Sequence, residues 1–427
     1  LALLPGYAGY LLGHLALWPL LAAKGVRQAR RRDPAEVPDV IRTRLLGGTV
    51  PSLREPPGRW VLLLAQDLGE TRAALLAAEQ LAQMPDAPPV ALLVALKRSF
   101  DFAASGASAP LGYAPFNNPL SVLAMLARWR PRAVLIAGYN PSHHLTFLTR
   151  LFGVSCVLFN GSFAGESGGK RGDWRRTAMG AYAVPTDADR HALTAQGVDP
   201  GRVVVTGPLL GMPRRSDESR RAAEAKWRPL VNAAPGAPVV VAGSTHPTDE
   251  AVLLDAFARL RARFPGAVLI LAPRFLGRTG GVESVLRETG TPFVRRSAVE
   301  RRPPDVPVLL LDTTGELPDV YAAATLAHVG GSFDPARGGH TPVEALAWGV
   351  PMTVGPHHAN QRAVVQELAR AGVLAVCRDA AEVAAFWERH AADPALAADV
   401  RARSAAVIAR QGTAIRNLYE TLIGSRL

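Results

Sequence analysis

Cysteine is nearly missing from this chain of 427 residues. Only Cys156 and Cys377 are present, far apart and each inside an apolar run. That excludes a disulfide framework and a thiolate metal site, and it suits two buried thiols in a reducing compartment. Histidine is equally unhelpful to a metal. His143-His144 and His357-His358 are sequence neighbours, whose side chains diverge, and no Asp-x-Asp pair closes a strand. Neither a metal nor a cofactor is expected. Internal repeats, low-complexity tracts, zinc knuckles and aromatic-basic ribonucleoprotein signatures are lacking too, so nucleic acid is not an expected partner. Acidic residues are in deficit, 36 against 48 lysines and arginines, for a net charge of +12 that arginine mostly supplies. Part of that excess is what a G+C-rich genome produces. The remainder points to anionic lipid or a phosphorylated substrate.

What is present is enough for two domains with sizeable cores: apolar residues make up 48% of the chain and charged residues 20%. The sequence opens on Leu1, not Met, as a numbering that starts inside a longer reading frame would. Residues 1–23 carry no charge, and Lys24, Arg27 and Arg30-Arg31-Arg32 follow. A signal peptide would place its basic cluster first and end in a small-residue cleavage site. Pro5, His14 and Pro19 argue against a full span. Residues 1–32 are therefore expected to form a membrane-associated helix, with Tyr10 and Trp18 at the interface and the arginines on anionic lipid; the alternative is a helix packed on the protein core.

After a polar, proline-bearing connector, the run Trp60 to Ala65 predicts a first strand, stopped by Gln66-Asp67-Leu68-Gly69-Glu70, with a helix from Thr71 to about Gln83. Further βα units are expected at Val90–Leu96, Ala133–Ala137, Cys156–Phe159, Ala181–Val184 and Val203–Thr206. A linker is placed near Met212 to Asp217. A second α/β domain then opens at Val239–Ala242, with a helix from about Thr248 to Phe264 and strands at Ala267–Ala272 and Val308–Leu311. The fold class is α/β, two Rossmann-like doubly wound domains.

Residues 328–362 organise the second domain. An apolar run, Ala324 to Val329, breaks at Gly330-Gly331-Ser332. The turn Phe333–Arg337 leads to Gly338-Gly339-His340-Thr341-Pro342, a helical pattern with Glu344 follows, and a second strand, Val350 to Val354, ends at Gly355-Pro356-His357. Such loops lie where ligands bind in open α/β sheets. Gly338 and Gly339 admit close backbone approach, the N–H groups opening the helix near Thr341 can take a phosphate, and Pro342 suits the first helical turn. Glu344 is placed to hold sugar or ribose hydroxyls. An ordinary βαβ turn without a ligand is the competing reading.

Together with Ser244-Thr245-His246, Pro273-Arg274 and Asp312-Thr313-Thr314-Gly315-Glu316-Leu317, this stretch resembles the Kdo transferases, which attach 3-deoxy-manno-octulosonic acid to lipid A. Order and spacing agree over about 120 residues. The resemblance implies a GT-B fold: a membrane-associated helix (1–32), an acceptor domain (33–212), a donor-binding domain (213–405) and a last helix (406–427) returning to the first domain. It implies a metal-independent, inverting glycosyltransferase using CMP-Kdo or a related CMP-activated ulosonic acid, at the cytoplasmic face of the bacterial inner membrane. Arg274 would be the donor-binding arginine. Ser244, Thr245, His246, Pro273, Gly315, Glu316, Gly331, Ser332, Gly338, Gly339, His340, Thr341 and Glu344 would line the donor site, with Glu316 and Glu344 on nucleoside and sugar.

The first domain departs from the family. Its base is a glutamate in a Gly-Glu before the first strand; Arg42 to Gly48 here contains no carboxylate. Its Glu-x-Glu-x-Trp-Pro-Asn element is replaced by Gly138–His144, its Asn-x-Arg by Asn160-Gly161-Ser162, and a lysine by Leu210. Asp67 stands where the family has serine, so Asp67 is the expected base, with Glu70 beside it in a binding or helix N-terminal role. The acceptor would be a lipid A-type lipid. Two alternatives stay open: a transferase with another activated sugar or acceptor, and a non-catalytic homologue that binds lipid or a partner.

Overall fold

A computed structural model describes Tyr7, Leu11, Arg44 and residues 60–84, 86–104, 109–138, 142–163, 174–210 and 217–422. The chain divides into two compact units, residues 1–211 with 411–427, and residues 212–410.

The first unit holds seven strands: β1 (Val61–Ala65), β2 (Val90–Val94), β3 (Leu111–Tyr113), β4 (Ala133–Ala137), β5 (Ser155–Phe159), β6 (Ala181–Val184) and β7 (Val203–Val205). They pair in the order β3-β2-β1-β4-β5-β6-β7, and every pairing is parallel. Parallel strands are covered on both faces, so they read as unbroken apolar runs. VLLLA, VALLV and AVLIA are such runs, buried at every position. Their alternate side chains feed two cores. Val61, Leu63 and Ala65 pack with helix α1 (Leu68–Ala82), while Trp60, Leu62 and Leu64 pack on the other face. Each fully buried leucine contributes roughly 1.5–3 kcal/mol of transfer free energy.

The second unit repeats the plan with β8 (Val239–Thr245), β9 (Val268–Pro273), β10 (Phe293–Arg295), β11 (Val308–Leu310), β12 (Leu326–Val329), β13 (Met352–Val354) and β14 (Leu374–Val376). The order is β10-β11-β9-β8-β12-β13-β14, again wholly parallel. In both sheets the order reverses beside the first strand, between β1 and β4 and between β8 and β12. Open α/β sheets bind ligands at the carboxyl ends of such strand pairs.

The doubly wound α/β reading agrees with this architecture. Three strands, β3, β10 and β14, had no counterpart in the sequence reading. Each is three residues long with at most one buried side chain, at a sheet edge or next to it, so no apolar run announces it. Pro342 stands at the N-cap of the helix Val343–Trp348, one position before the first turn.

Most of the expected membrane-associated helix and of the linker lies outside the described residues. Tyr7 and Leu11 are helical. Tyr7 is buried, stacks on Phe147 at 3.9 Å, and its hydroxyl meets Nδ1 of His144 at 2.9 Å. This tyrosine therefore faces protein. Among the described residues no helix is long and apolar enough to cross a membrane. The last helix runs from Pro394 to Leu422, and its Ile415 and Tyr419 are buried in the first unit's core, where Ile415 N–H donates to Gln80 Oε1 at 3.1 Å.

Candidate functional site

At the second unit's reversal point, β8 ends on Thr245 and β12 on Val329. The backbone leaves β8 through an irregularity between Gly243 and Thr245, and Ser244 takes a left-handed φ of 56°. A non-glycine residue held there stores backbone strain of the kind found at ligand sites. His246 follows as the N-cap of a helix, α2 (Pro247–Arg263).

Asp249, in the first turn of α2, holds this corner together, and the sequence reading missed it. Its carboxylate is fully buried and accepts four backbone N–H bonds. His246 and Gly331 donate to Oδ2 at 2.8 and 2.6 Å, and Ser332 and Phe333 donate to Oδ1 at 3.2 and 3.0 Å. One carboxylate thus ties the loop after β8 to the loop after β12. The available signal was Pro247 followed two residues on by an acid, the pattern of a helix N-terminus. Glu250 supports the same corner. It accepts from Thr245 Oγ1 at 3.1 Å and forms a two-pronged pair with Arg278 at 3.0 and 3.2 Å.

The two loops bring His246 and His340 together edge to edge. Their ring planes lie 15° apart with centroids 5.2 Å apart, and Nε2 meets Nε2 at 2.9 Å. Burial, aided by the charges of Arg274 and of His246, pushes the His340 pKa down to about 4, and burial with Arg337 lowers that of His246. Gly331 makes the contact possible: its φ is 71°, and a Cβ there would lie 2.8 Å from the His340 ring. Gly338 and Gly339 are also left-handed. A Cβ on either would strike Asn360 or the backbone of His358, whose segment accompanies the loop. Ser332 is buried, and its hydroxyl accepts from Gly355 N–H at 2.8 Å.

Arg274 follows β9, which ends at buried Pro273, and its own N–H donates to Thr245 O at 3.0 Å. Its guanidinium is exposed over Phe275, has no ion-pair partner among the described residues, and acts electrostatically on His340. Glu316, expected on nucleoside and sugar, has partners within the protein. Its carboxylate is paired with Lys226 at 2.6 Å and Arg296 at 3.2 Å and accepts from Thr313 Oγ1 at 2.6 Å. Burial alone would raise its pKa, but these partners together hold it below the usual range. Gly315, with φ 82°, makes the turn before it. Thr341 leads into the short helix, whose Glu344 charge is felt by buried Tyr321.

The first unit's reversal point carries carboxylates instead. Asp67 ends β1's connection as the N-cap of α1, and its Oδ1 accepts Glu70 N–H at 2.9 Å. Glu70 answers through Oε2, which accepts from Gln66 N at 2.7 Å and Asp67 N at 3.2 Å. The Glu70 side chain lies over Gly138, at the end of β4, whose missing Cβ leaves the space it occupies. Burial pushes the Glu70 pKa up to about 7, with the Asp67 charge adding to it and the Gln66 hydrogen bond opposing. Arg44, the one described residue of the stretch Arg42 to Gly48, donates to Ala114 O and Ala95 O at 3.0 and 3.3 Å beside β3 and β2. Asn160 keeps its place with φ 59° and braces Leu209 through two hydrogen bonds of 3.1 and 2.8 Å.

This chain matches known proteins along both units. The sequence model described as 3-Deoxy-D-manno-octulosonic-acid transferase (kdotransferase) matches residues 41–210, the half whose motif residues depart most from the family. A 3-deoxy-D-manno-octulosonic acid transferase of Bordetella pertussis is 31% identical over 334 residues, covering 74% of this chain and 76% of that one. Its counterpart in Haemophilus influenzae is 25% identical over 342 residues, covering 75% and 76%. Among solved structures, a glycosyltransferase from Rickettsia africae superposes with a TM-score of 0.60 at 11% identity, over 85% of this chain and 98% of that one, a likeness of fold.

Proposed function

The chain belongs to the 3-deoxy-D-manno-octulosonic acid (Kdo) transferase family, and from that premise we propose that it moves Kdo from CMP-Kdo to a lipid A-type acceptor in lipopolysaccharide biosynthesis. It is a glycosyltransferase of GT-B type. The observation that carries the donor half of the reading is the corner of Arg274, His246 and His340 at the second unit's reversal point, where an exposed arginine, without a carboxylate partner among the described residues, stands beside two histidines. Displacing a nucleoside phosphate requires groups aimed at the charge that grows on the leaving oxygen. Arg274 supplies a charge-assisted contact to that phosphate, worth about 1.5–3 kcal/mol. The loop from Gly331 to Thr341 lines the donor site and keeps its shape through Asp249, which accepts the N–H groups of Gly331, Ser332 and Phe333.

On the acceptor side, Glu70 takes the base's role in place of Asp67. A base works best when its pKa lies near the working pH, and burial brings Glu70 to about 7. Asp67 is committed as the helix cap and holds Glu70 in position through the reciprocal capping bonds. With the substrate in place, the Glu70 carboxylate accepts the proton of the acceptor hydroxyl. That oxygen attacks the anomeric carbon of Kdo, the bond from carbon to phosphate oxygen breaks, and CMP leaves. A lipid acceptor places the reaction at a membrane surface, and we assign it to the cytoplasmic face of the inner membrane.

The test is calorimetric titration with CMP, CMP-Kdo and UDP-sugars, followed by a turnover assay with a lipid A-type acceptor. Binding of the cytidine ligands alone and appearance of the Kdo-lipid are expected. Preference for a UDP-sugar, or binding of CMP-Kdo without any transfer, would overturn the assignment.

A further inference from the structure

His246 and His340 meet through nitrogen atoms 2.9 Å apart. At that separation one Nε2 carries a hydrogen and the other offers its lone pair. The pair therefore holds a net charge of zero or +1. Two imidazolium rings would set N–H against N–H and break the contact. A single added proton, by contrast, costs no rearrangement: it leaves the shared bond in place and turns an outer Nδ1 into a second donor.

Resting on the donor reading above, we propose that the two histidines act as one proton-sharing clamp for an anionic phosphodiester, taking up one proton as the donor binds. The charged groups around the pair come from four segments. Arg274 after β9, Arg278 beyond it and Arg337 in the loop after β12 disfavour the proton. Asp249 on α2 and Asp334 in the loop favour it. Asp249 is spent on four backbone N–H groups, Asp334 and Arg337 pair with each other at 3.5 Å, and Arg278 is paired with Glu250 at 3.0 Å, which leaves Arg274 as the cation without an acidic partner among the described residues. In the free site burial, with Arg274 beside it, prevails, and the pair is neutral near pH 7. A phosphate arriving against Arg274 cancels that positive field, so the pair protonates and donates to it. The same clamp then holds the growing charge on the departing CMP. The sign follows directly: donor affinity rises as pH falls, by up to about tenfold per unit while one proton is taken up.

The experiment uses the methyl ester of CMP, a phosphodiester that does not itself titrate near neutrality. It is titrated into the whole protein at pH 6.5 and 7.5 in buffers of different ionisation heat. Uptake approaching one proton per ligand is expected, with tighter binding at the lower pH. In His340→Gln the ester should bind more weakly and the uptake should vanish; retained uptake in that variant would overturn the clamp. Should the variant fail to fold, histidine-selective NMR of the unsubstituted protein gives the same answer, with two linked imidazole signals moving to the protonated position on ester addition. Binding without proton exchange, or binding of doubly charged CMP but not of the ester, overturns the clamp alone. Failure of both ligands to bind overturns the donor reading itself.

Discussion

The two sheets reverse strand order at equivalent places and arm those places with opposite chemistry. Beside β8 and β12 stand two histidines, an exposed arginine and a loop of left-handed glycines; beside β1 and β4 stand a capped carboxylate and a second one held near neutrality. The topology fixes where chemistry happens, since strand ends converge there, but not which chemistry. Under the proposed assignment, the difference follows from what each corner meets. An anion needs donors and positive charge, whereas a hydroxyl proton needs a carboxylate kept short of water.

The largest effect that would break this contrast is at Glu70. Glu70→Gln should lower turnover by about 10²–10⁴-fold, the usual weight of a general base, with CMP affinity unchanged. The same variant sharpens the electrostatic account. The folded-state pKa of Glu70 is raised, so the stability it contributes is full at pH below about 4.5 and is lost as pH rises through about 7. Thermal midpoints should therefore favour the glutamine variant at pH 8 and converge with the unsubstituted protein near pH 4.

Next comes the carboxylate that ties the second corner. Asp249→Ala leaves four backbone donors without their acceptor. At about 1–3 kcal/mol for each buried group left unsatisfied, urea unfolding should show a loss of at least about 4 kcal/mol, or a protein that does not accumulate. Arg274→Ala should weaken CMP binding by about 1.5–3 kcal/mol without lowering stability, because its guanidinium is exposed. Unchanged affinity would move the donor elsewhere. The smallest effect belongs to Asp67→Asn. Asparagine caps nearly as well as aspartate, so stability should change by less than about 1 kcal/mol, and most of the turnover should survive.

The contrast also explains what could be read from the sequence. The second corner is shaped by backbone, and backbone shape writes glycines into the chain: Gly331, Gly338 and Gly339 are there because their φ angles are positive or a Cβ would collide. Sheet strands were legible for a similar reason, as burial on both faces demands unbroken apolar runs, and only β3, β10 and β14, short strands at the sheet edges, escaped. The contact between His246 and His340 spans 94 positions and leaves no local trace. Neither does the burial that sets Glu70 apart from Asp67. In the sequence both are acids after a strand, and only Asp67 departs from the family's serine; in three dimensions its carboxylate receives a helix N–H, while its neighbour is desolvated against Gly138. Glu316 shows the converse: its motif was plain, but its ion pairs with Lys226 and Arg296 were not.

The central claim, a CMP-Kdo transferase whose base is Glu70, is tested most directly by the pH profile of Kdo transfer under saturating donor, comparing the unsubstituted enzyme with Glu70→Gln. The account predicts a rate that falls as pH drops through about 7, and a slow, flat profile in the variant. The same acid limb persisting in Glu70→Gln would contradict it.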